Sequence, residues 1–185
     1  MSGLRDRAIV LAGGTGGLGA ATARLLAAEG ARLVLGYRQN EARAEQLRRE
    51  LGEATTLCRA DLGTAAGRRA LLEAAPGLYG LVVFAGDPGR GADEETLRRS
   101  METNYLGPAL LAREAAERMR AAGTPGAIVL LASMQAVYVF ENSTAYAAAK
   151  AALVHAARTL AKECGGPCDI RVNVVAPGVT TAGRR

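Results

Sequence analysis

The chain is poor in the residues that metal and disulfide chemistry require: it has one histidine and three cysteines. Cys164 and Cys168 flank Gly165-Gly166-Pro167 with no second cysteine pair, and Cys58 falls in an apolar run. Neither a four-ligand metal site nor a disulfide framework is expected, and the cysteines read as reduced and structural. His155, alone on an alanine-rich stretch, reads as a packing or surface residue. No apolar run approaches bilayer-spanning length, so no membrane partner is expected. The N-terminal residues enter the first apolar run with no room for a signal peptide, and the expected location is cytoplasmic. Lysine is nearly absent, with Lys150 and Lys162 alone, and the net charge of +5 is carried by arginine. The arginines are scattered over expected helix faces (Arg48, Arg49, Arg68, Arg69, Arg98, Arg99), not clustered with aromatics. That pattern marks a solvated surface, and no nucleic-acid partner is expected.

What is present is an alternation. Short runs rich in leucine and β-branched residues fall at 7–13, 32–38, 55–62, 80–86, 127–133 and 170–177. Alanine-rich, helix-forming stretches separate them at 18–29, 41–51, 65–75, 94–122 and 144–164. Several of the strand candidates are almost continuously apolar, which predicts a parallel sheet covered on both faces. Strict β-α alternation with right-handed crossovers then predicts an α/β, doubly wound, Rossmann-like three-layer sandwich with about six parallel strands. No linker, low-complexity tract or repeat divides the 185 residues, which read as one domain, 1–185.

The first strand candidate runs into Leu11-Ala-Gly-Gly-Thr-Gly-Gly-Leu-Gly19 and then a helix. Glycines in such a turn let the backbone approach a pyrophosphate, and the N–H groups opening the helix meet its charge. Gly13, Thr15, Gly16, Gly17, Leu18 and Gly19 are therefore candidate cofactor contacts; a flexible turn is the bland alternative. The second strand ends in Gly36-Tyr37-Arg38, without the carboxylate that would accept the ribose hydroxyls of NAD. A guanidinium there can hold a 2′-phosphate bidentately, so NADP(H) is the expected cofactor, with Tyr37 and Arg38 at the discriminating position. Arg38 also reads as one more surface arginine.

Tyr146 and Lys150 are four apart and share a helix face. A phenol is a poor acid–base group near neutrality, and a neighbouring ammonium together with the positive nicotinamide ring of an oxidised cofactor is expected to lower its pKa. Ser133 ends the fifth strand candidate, at the edge where open parallel sheets bind ligands, and its hydroxyl can hold a substrate oxygen. It also reads as a turn residue leading into a helix. Pro108 lies inside the 94–122 stretch and has no N–H for the carbonyl of Asn104, which is thereby free to hold a water; alternatively Gly107-Pro108 merely bends the helix.

Taken as an ordered set, Asn104, Ser133, Tyr146 and Lys150, with the Gly13-x-x-x-Gly17-x-Gly19 loop and Ala176-Pro177-Gly178, resemble the short-chain dehydrogenase/reductase family, including its 3-oxoacyl-(acyl-carrier-protein) reductase-like members. The resemblance runs from about residue 7 to 178. It implies hydride transfer between a nicotinamide and a ketone or alcohol carbon, on a small carbonyl or alcohol substrate of the 3-oxoacyl or polyketide kind. It gives Tyr146 the role of general acid, Ser133 that of orienting the carbonyl, Lys150 the nicotinamide ribose and Asn104 a relay water. It further implies cofactor contacts at Asp61 and Leu62, Ala85 and Gly86, and Pro177 and Gly178, and a homodimer or tetramer built on the 94–122 and 144–164 helices.

The chain departs from the family pattern in places. Ala12 replaces the threonine before the loop, Phe84 stands where asparagine is usual, and Ala182, beside Thr180 and Thr181, replaces a threonine. The family's covering segment and seventh strand are not found after Gly178, so the sixth strand is expected to be an open edge. Met134, Val137, Tyr138 and Phe140 read equally as an apolar pocket wall or as ordinary packing. Three functions remain open at this point: an active carbonyl reductase, a cofactor-binding sensor or partner subunit, and a fold turned to isomerase, dehydratase or cyclase chemistry.

Overall fold

Strand β1 (Ala8–Ala12) is buried along its whole length, and the sheet is built outward from it. The computed structural model describes residues 3–166 and 168–180. Six strands form one sheet in the order β3-β2-β1-β4-β5-β6, with β2 Arg32–Tyr37, β3 Thr55–Arg59, β4 Leu78–Val83, β5 Gly126–Leu131 and β6 Ile170–Val175. Every pairing is parallel. The strand order reverses at β1, which pairs with β2 on one side and β4 on the other. That topology is the doubly wound Rossmann-like fold expected from the alternation, and it opens a crevice at the carboxyl ends of β1 and β4.

Helices α1 (Gly17–Ala28), α2 (Glu41–Leu51), α3 (Ala65–Glu73), α4 (Glu94–Met101), α5 (Gly107–Ala121) and α6 (Thr144–Cys164) connect the strands. Local chemistry sets several starts. The side chains of Asn40, Thr64 and Asp93 accept N–H bonds from Arg43, Gly67 and Thr96, each satisfying an amide that the first helical turn leaves orphaned. One core lies between β1, β4, β5 and β6 and helices α3, α5 and α6, where Leu71, Leu111, Met119, Ile128, Leu130 and Leu153 are fully buried. The second lies on the other face, where Ile9, Leu11, Leu33 and Leu35 meet Ala20 and Ala23 of α1 and Leu47 of α2.

Three expectations need correction. The continuously apolar run of β5 is not covered on both faces: its burial alternates, with Val129 and Leu131 half-buried, and Val175 of β6 is exposed on the same side. Helices α1 and α2 pack over β1 and β2, so among the described residues the second layer stops short of this half of the sheet. The 94–122 helix is also not continuous. Between α4 and α5 the backbone widens into a π turn, Glu102–Leu106, where Gly107 N–H reaches the carbonyl of Glu102. Pro108, lacking an N–H, makes the ordinary ladder impossible at this point, and the wider turn absorbs the defect. Finally, β3 stops at Arg59, so Asp61 and Leu62 lie in a turn beyond the strand. The Asp61 carboxylate accepts the Gly63 N–H at 2.9 Å, a local bond that competes with the sheet ladder.

Candidate active site

The ends of β4 and β5, the π turn and the first two turns of α6 bring the expected acid–base residues together. Ser133 stands two residues beyond β5, at the carboxyl edge of the sheet, where Ala132 and Met134 donate N–H bonds to the carbonyls of Val175 and Pro177 at 2.8 and 3.0 Å. Its hydroxyl oxygen accepts the Gln135 N–H at 3.2 Å, which orients the side chain. The hydroxyl is close enough to the Tyr146 phenol to pull that group's pKa down. Lys150, one turn further along α6, places its ammonium 5.7 Å from the centre of the Tyr146 ring.

Lys150 is 2% exposed and donates to the carbonyl of Leu131 at 2.7 Å. Loss of water around the ammonium lowers its pKa to about 8. Tyr146 moves the other way. Burial is the largest influence and raises the phenol above its ordinary value; the Ser133 hydroxyl lowers it, and the negative charge of Asp87 raises it. In the protein alone burial sets the net direction; the lowering expected from an ammonium together with an oxidised nicotinamide belongs to the cofactor-bound site.

Asn104, fully buried in the π turn, does something the sequence did not disclose. Its side-chain oxygen accepts the Asp87 N–H at 2.7 Å, and its amide donates to the Asp87 carbonyl at 2.9 Å and to Ser100 Oγ at 3.0 Å. The side chain thus clamps both main-chain groups of the residue after Gly86. A Cβ added at Gly86 would stand 2.9 Å from Asn104 Oδ1 and 3.2 Å from Lys150 Nζ, so a larger residue here would press on the ends of both side chains. The expectation about Asn104 concerned its carbonyl alone; the bidentate side-chain clamp needs a residue 17 positions away and has no local signature.

The glycine loop lies at the same edge. Gly13 adopts a positive φ of 77°, donates to the Gly36 carbonyl at 3.0 Å, and packs against Ala85 so closely that a Cβ would meet the Ala85 nitrogen at 2.9 Å. Helix α1 begins with Gly16 as its N-cap, and no side chain caps its first N–H groups. A Cβ at Gly16 would find nothing nearer than 3.5 Å, so the helix start is open. An uncapped start to a 12-residue helix, with an open glycine before it, fits a dinucleotide pyrophosphate. Thr15 is buried, and Gly17 and Leu18 are half-buried beside it. Arg38 is exposed one residue beyond β2, its carbonyl accepting from Arg59 Nε at 3.3 Å, while Tyr37 is buried. Gly178, 3.4 Å from Met134 Sδ by its would-be Cβ, lies with Pro177 beside the Ser133 turn. Thr181 and Ala182 lie outside the described residues.

The sequence model of the short chain dehydrogenase family matches residues 7–185. The chain belongs to that family. Among curated relatives, it is 35% identical over 183 residues to a cis-4-hydroxycyclohexanecarboxylate dehydrogenase of Sinomonas cyclohexanicum, an alignment covering 94% of this chain and 73% of the relative. It is 31% identical over 186 residues to a 3beta-hydroxysteroid dehydrogenase of Eggerthella lenta, covering 95% and 71%. Among solved structures, a short chain dehydrogenase/reductase family protein superposes with a TM-score of 0.89 at 35% identity, covering 96% of this chain and 76% of that one. These likenesses make the chain a nicotinamide-dependent oxidoreductase by family.

Two departures from the short-chain dehydrogenase pattern are absorbed by packing. Ala12 is buried in the first core cluster, and Phe84 packs against the second. Of the apolar residues after Ser133, Met134 is half-buried beside Gly178, whereas Val137 is 74% and Tyr138 64% exposed, and Val139 and Phe140 are exposed as well. They form an apolar rim beside the site. His155 is exposed, and no group of metal-ligating residues exists among the described residues. No helix among them is long and apolar enough to cross a membrane.

Gly19 offers a test of the loop. A Cβ there would stand 2.7 Å from Gly14 Cα and 2.8 Å from the Gly13 carbonyl, both backbone atoms. Gly19→Ala is expected to lower stability by about 1–3 kcal/mol, read from the urea midpoint, and to weaken dinucleotide binding measured by calorimetry. A variant with wild-type midpoint and affinity shows that the loop is not packed this tightly.

Proposed function

We propose that this chain reduces a ketone to a secondary alcohol with NADPH, and catalyses the reverse oxidation with NADP⁺. The observation that carries the reading is the convergence of Ser133, Tyr146 and Lys150 at the carboxyl edge of the sheet, next to an uncapped helix start. Reduced nicotinamide, when bound, supplies the hydride that reaches the carbonyl carbon. Tyr146 gives its proton to the carbonyl oxygen as negative charge develops there, and Ser133 holds that oxygen by a hydrogen bond. Lys150 binds the nicotinamide ribose and returns positive charge to the phenol's surroundings. The carbonyl of Asn104, which Pro108 leaves without an amide partner one turn ahead, holds a water that resupplies the proton.

The 13–19 loop and the start of α1 hold the pyrophosphate, Asp61 and Leu62 flank the adenine, and Ala85, Gly86, Pro177 and Gly178 line the nicotinamide side. Arg38 takes the 2′-phosphate, and no carboxylate stands in the Gly36-Tyr37-Arg38 segment to repel it. Arg38→Asp is expected to reverse the preference, with NADPH affinity falling about 10-fold or more relative to NADH. Calorimetry with both nucleotides reads this directly, and an unchanged affinity ratio defeats the assignment to Arg38.

The exposed apolar rim at 137–140 supports an apolar ketone. The printed names of the two relatives, a hydroxycyclohexanecarboxylate and a hydroxysteroid dehydrogenase, support a ring ketone beside the 3-oxoacyl and polyketide kinds. NADPH oxidation followed against a panel of cyclic and 3-oxo ketones tests the whole reading. Tight NADPH binding without turnover of any of them moves the assignment to a cofactor-binding sensor or partner subunit. A second copy of the chain is the proposed partner: Leu106 and Leu110 are exposed, and Ala148 and Ala151 on α6 permit close helix approach. Light scattering that finds a monomer defeats this.

A further inference from the structure

Arg68 is a buried cation that neither the glycine loop nor the acid–base set uses. It lies on α3 with 7% of its surface exposed, and its guanidinium serves two partners at once. Nε donates to the Glu114 carboxylate on α5 at 2.9 Å, and Nη1 donates to the main-chain carbonyl of Leu62 at 2.9 Å. Leu62 stands beyond the end of β3, outside the strand ladder. A buried ion pair adds little stability by itself, whereas a planar fork that holds two acceptors fixes their geometry. Helix α5 grips the same residue from a second side. The space a Cβ would take at Gly107 is filled by Leu62, with its Cβ at 3.1 Å and its carbonyl carbon and oxygen at 3.2 Å. Gly107 and Glu114 are two turns apart on α5 and share a face. Gly107 also follows directly on the π turn, whose Asn104 holds the Asp87 main chain. The π turn and α5 together therefore anchor both the turn after β3 and the loop after β4.

We propose that Arg68 is a positioning residue for the dinucleotide: with Glu114 and Gly107 it seats the Leu62 turn on α5, in fixed register with the Asn104 turn, and so keeps the adenine side of the site in its binding position. The inference rests on the reading of Asp61 and Leu62 as the adenine contacts, and it names the residue that sets their place. Arg68 acts through Leu62 and meets no part of the nucleotide itself. Without the fork the Leu62 carbonyl loses its partner, and each nucleotide that binds must order the turn again, which lowers affinity. The loss is confined to the adenine half, because other bonds hold the acid–base residues. Lys150 is tied to the Leu131 carbonyl and Ser133 to the Gln135 N–H, and neither bond involves α3 or the Leu62 turn.

The full chain is titrated by calorimetry with ADP, which carries the adenine half, and with reduced nicotinamide mononucleotide, which carries the other half. Arg68→Met removes the fork and is expected to weaken ADP binding by about 5–10-fold while the mononucleotide binds as in the parent. Gly107→Ala keeps the ion pair and presses on Leu62 from α5, and the same selective loss is expected. A mere structural brace would lower the urea midpoint and leave the folded protein's affinity for ADP unchanged. That outcome in Arg68→Met, or in Gly107→Ala should Arg68→Met not fold, overturns the proposal, as does an equal loss for both probes. Leu62→Ala separates the proposal from the reading beneath it. A parent that does not bind ADP, or a Leu62→Ala variant that binds it unchanged, overturns the adenine assignment and the proposal with it. ADP binding that Leu62→Ala weakens and Arg68→Met does not overturns the positioning role alone.

Discussion

Tyr146→Phe is expected to lower kcat for ketone reduction by about 10²–10⁴-fold, the usual contribution of a positioned general acid. The substitution removes one oxygen and leaves the ring, and with it the packing of α6 beside the Ser133 turn. Stability and NADPH affinity should therefore stay near those of the parent, and the loss should appear in kcat more than in KM. The phenol is also the group whose protonation the site controls most visibly: burial and Asp87 raise its pKa, and the Ser133 hydroxyl lowers it. A raised phenol holds its proton across the neutral range, which suits an acid for reduction. Alcohol oxidation, which needs the phenolate, should gain rate with rising alkalinity. A Tyr146→Phe variant retaining most of its turnover removes the phenol from the reaction.

Lys150→Met is expected to abolish most activity, by more than about 10²-fold, while making the protein more stable at neutral pH. The sign follows from burial. The folded chain holds this ammonium at a pKa of about 8, against 10.5 in the unfolded chain. Below about 8 the unfolded state takes the proton more readily than the folded state tolerates it, and the full cost is present, about 3 kcal/mol. Between about 8 and 10.5 the unfolded chain binds more protons, so stability rises with pH and the cost fades. Methionine removes the charge and nearly preserves the volume, but it leaves the Leu131 carbonyl without its 2.7 Å partner, which costs about 1 kcal/mol. Desolvation wins, and a net gain of about 2 kcal/mol is expected at pH 7, shrinking towards pH 10. Urea unfolding of both proteins at the two pH values checks it; a variant less stable than the parent at pH 7 reverses the argument. A buried cation that lowers stability is the kind of local inconsistency that functional sites retain.

Much of this was legible from the residues alone, for a physical reason. The apolar period, the glycine loop and the Tyr146–Lys150 spacing are local: each constrains residues within a turn or strand of one another, so the chain order carries them. Six parallel strands in a doubly wound order followed, as did the gathering of Ser133, Tyr146 and Lys150 at one edge. The element ends were less legible, because they depend on competition between bonds. β3 stops where the Asp61 side chain takes the Gly63 amide, and α4 gives way to a π turn ahead of Pro108.

By itself the sequence determined the layered parallel architecture and which side chains could serve as acid, orienting hydroxyl and cation. Only the tertiary structure decided the electrostatics among them. The clamp of Asn104 on Asp87 joins groups 17 residues apart, and the direction of the Tyr146 shift depends on how much water the packed helices exclude. The alternating burial of β5 and the exposed rim at 137–140 are likewise, among the described residues, properties of what packs where. Burial and through-space charge arise from residues distant in the chain, and no local pattern encodes them.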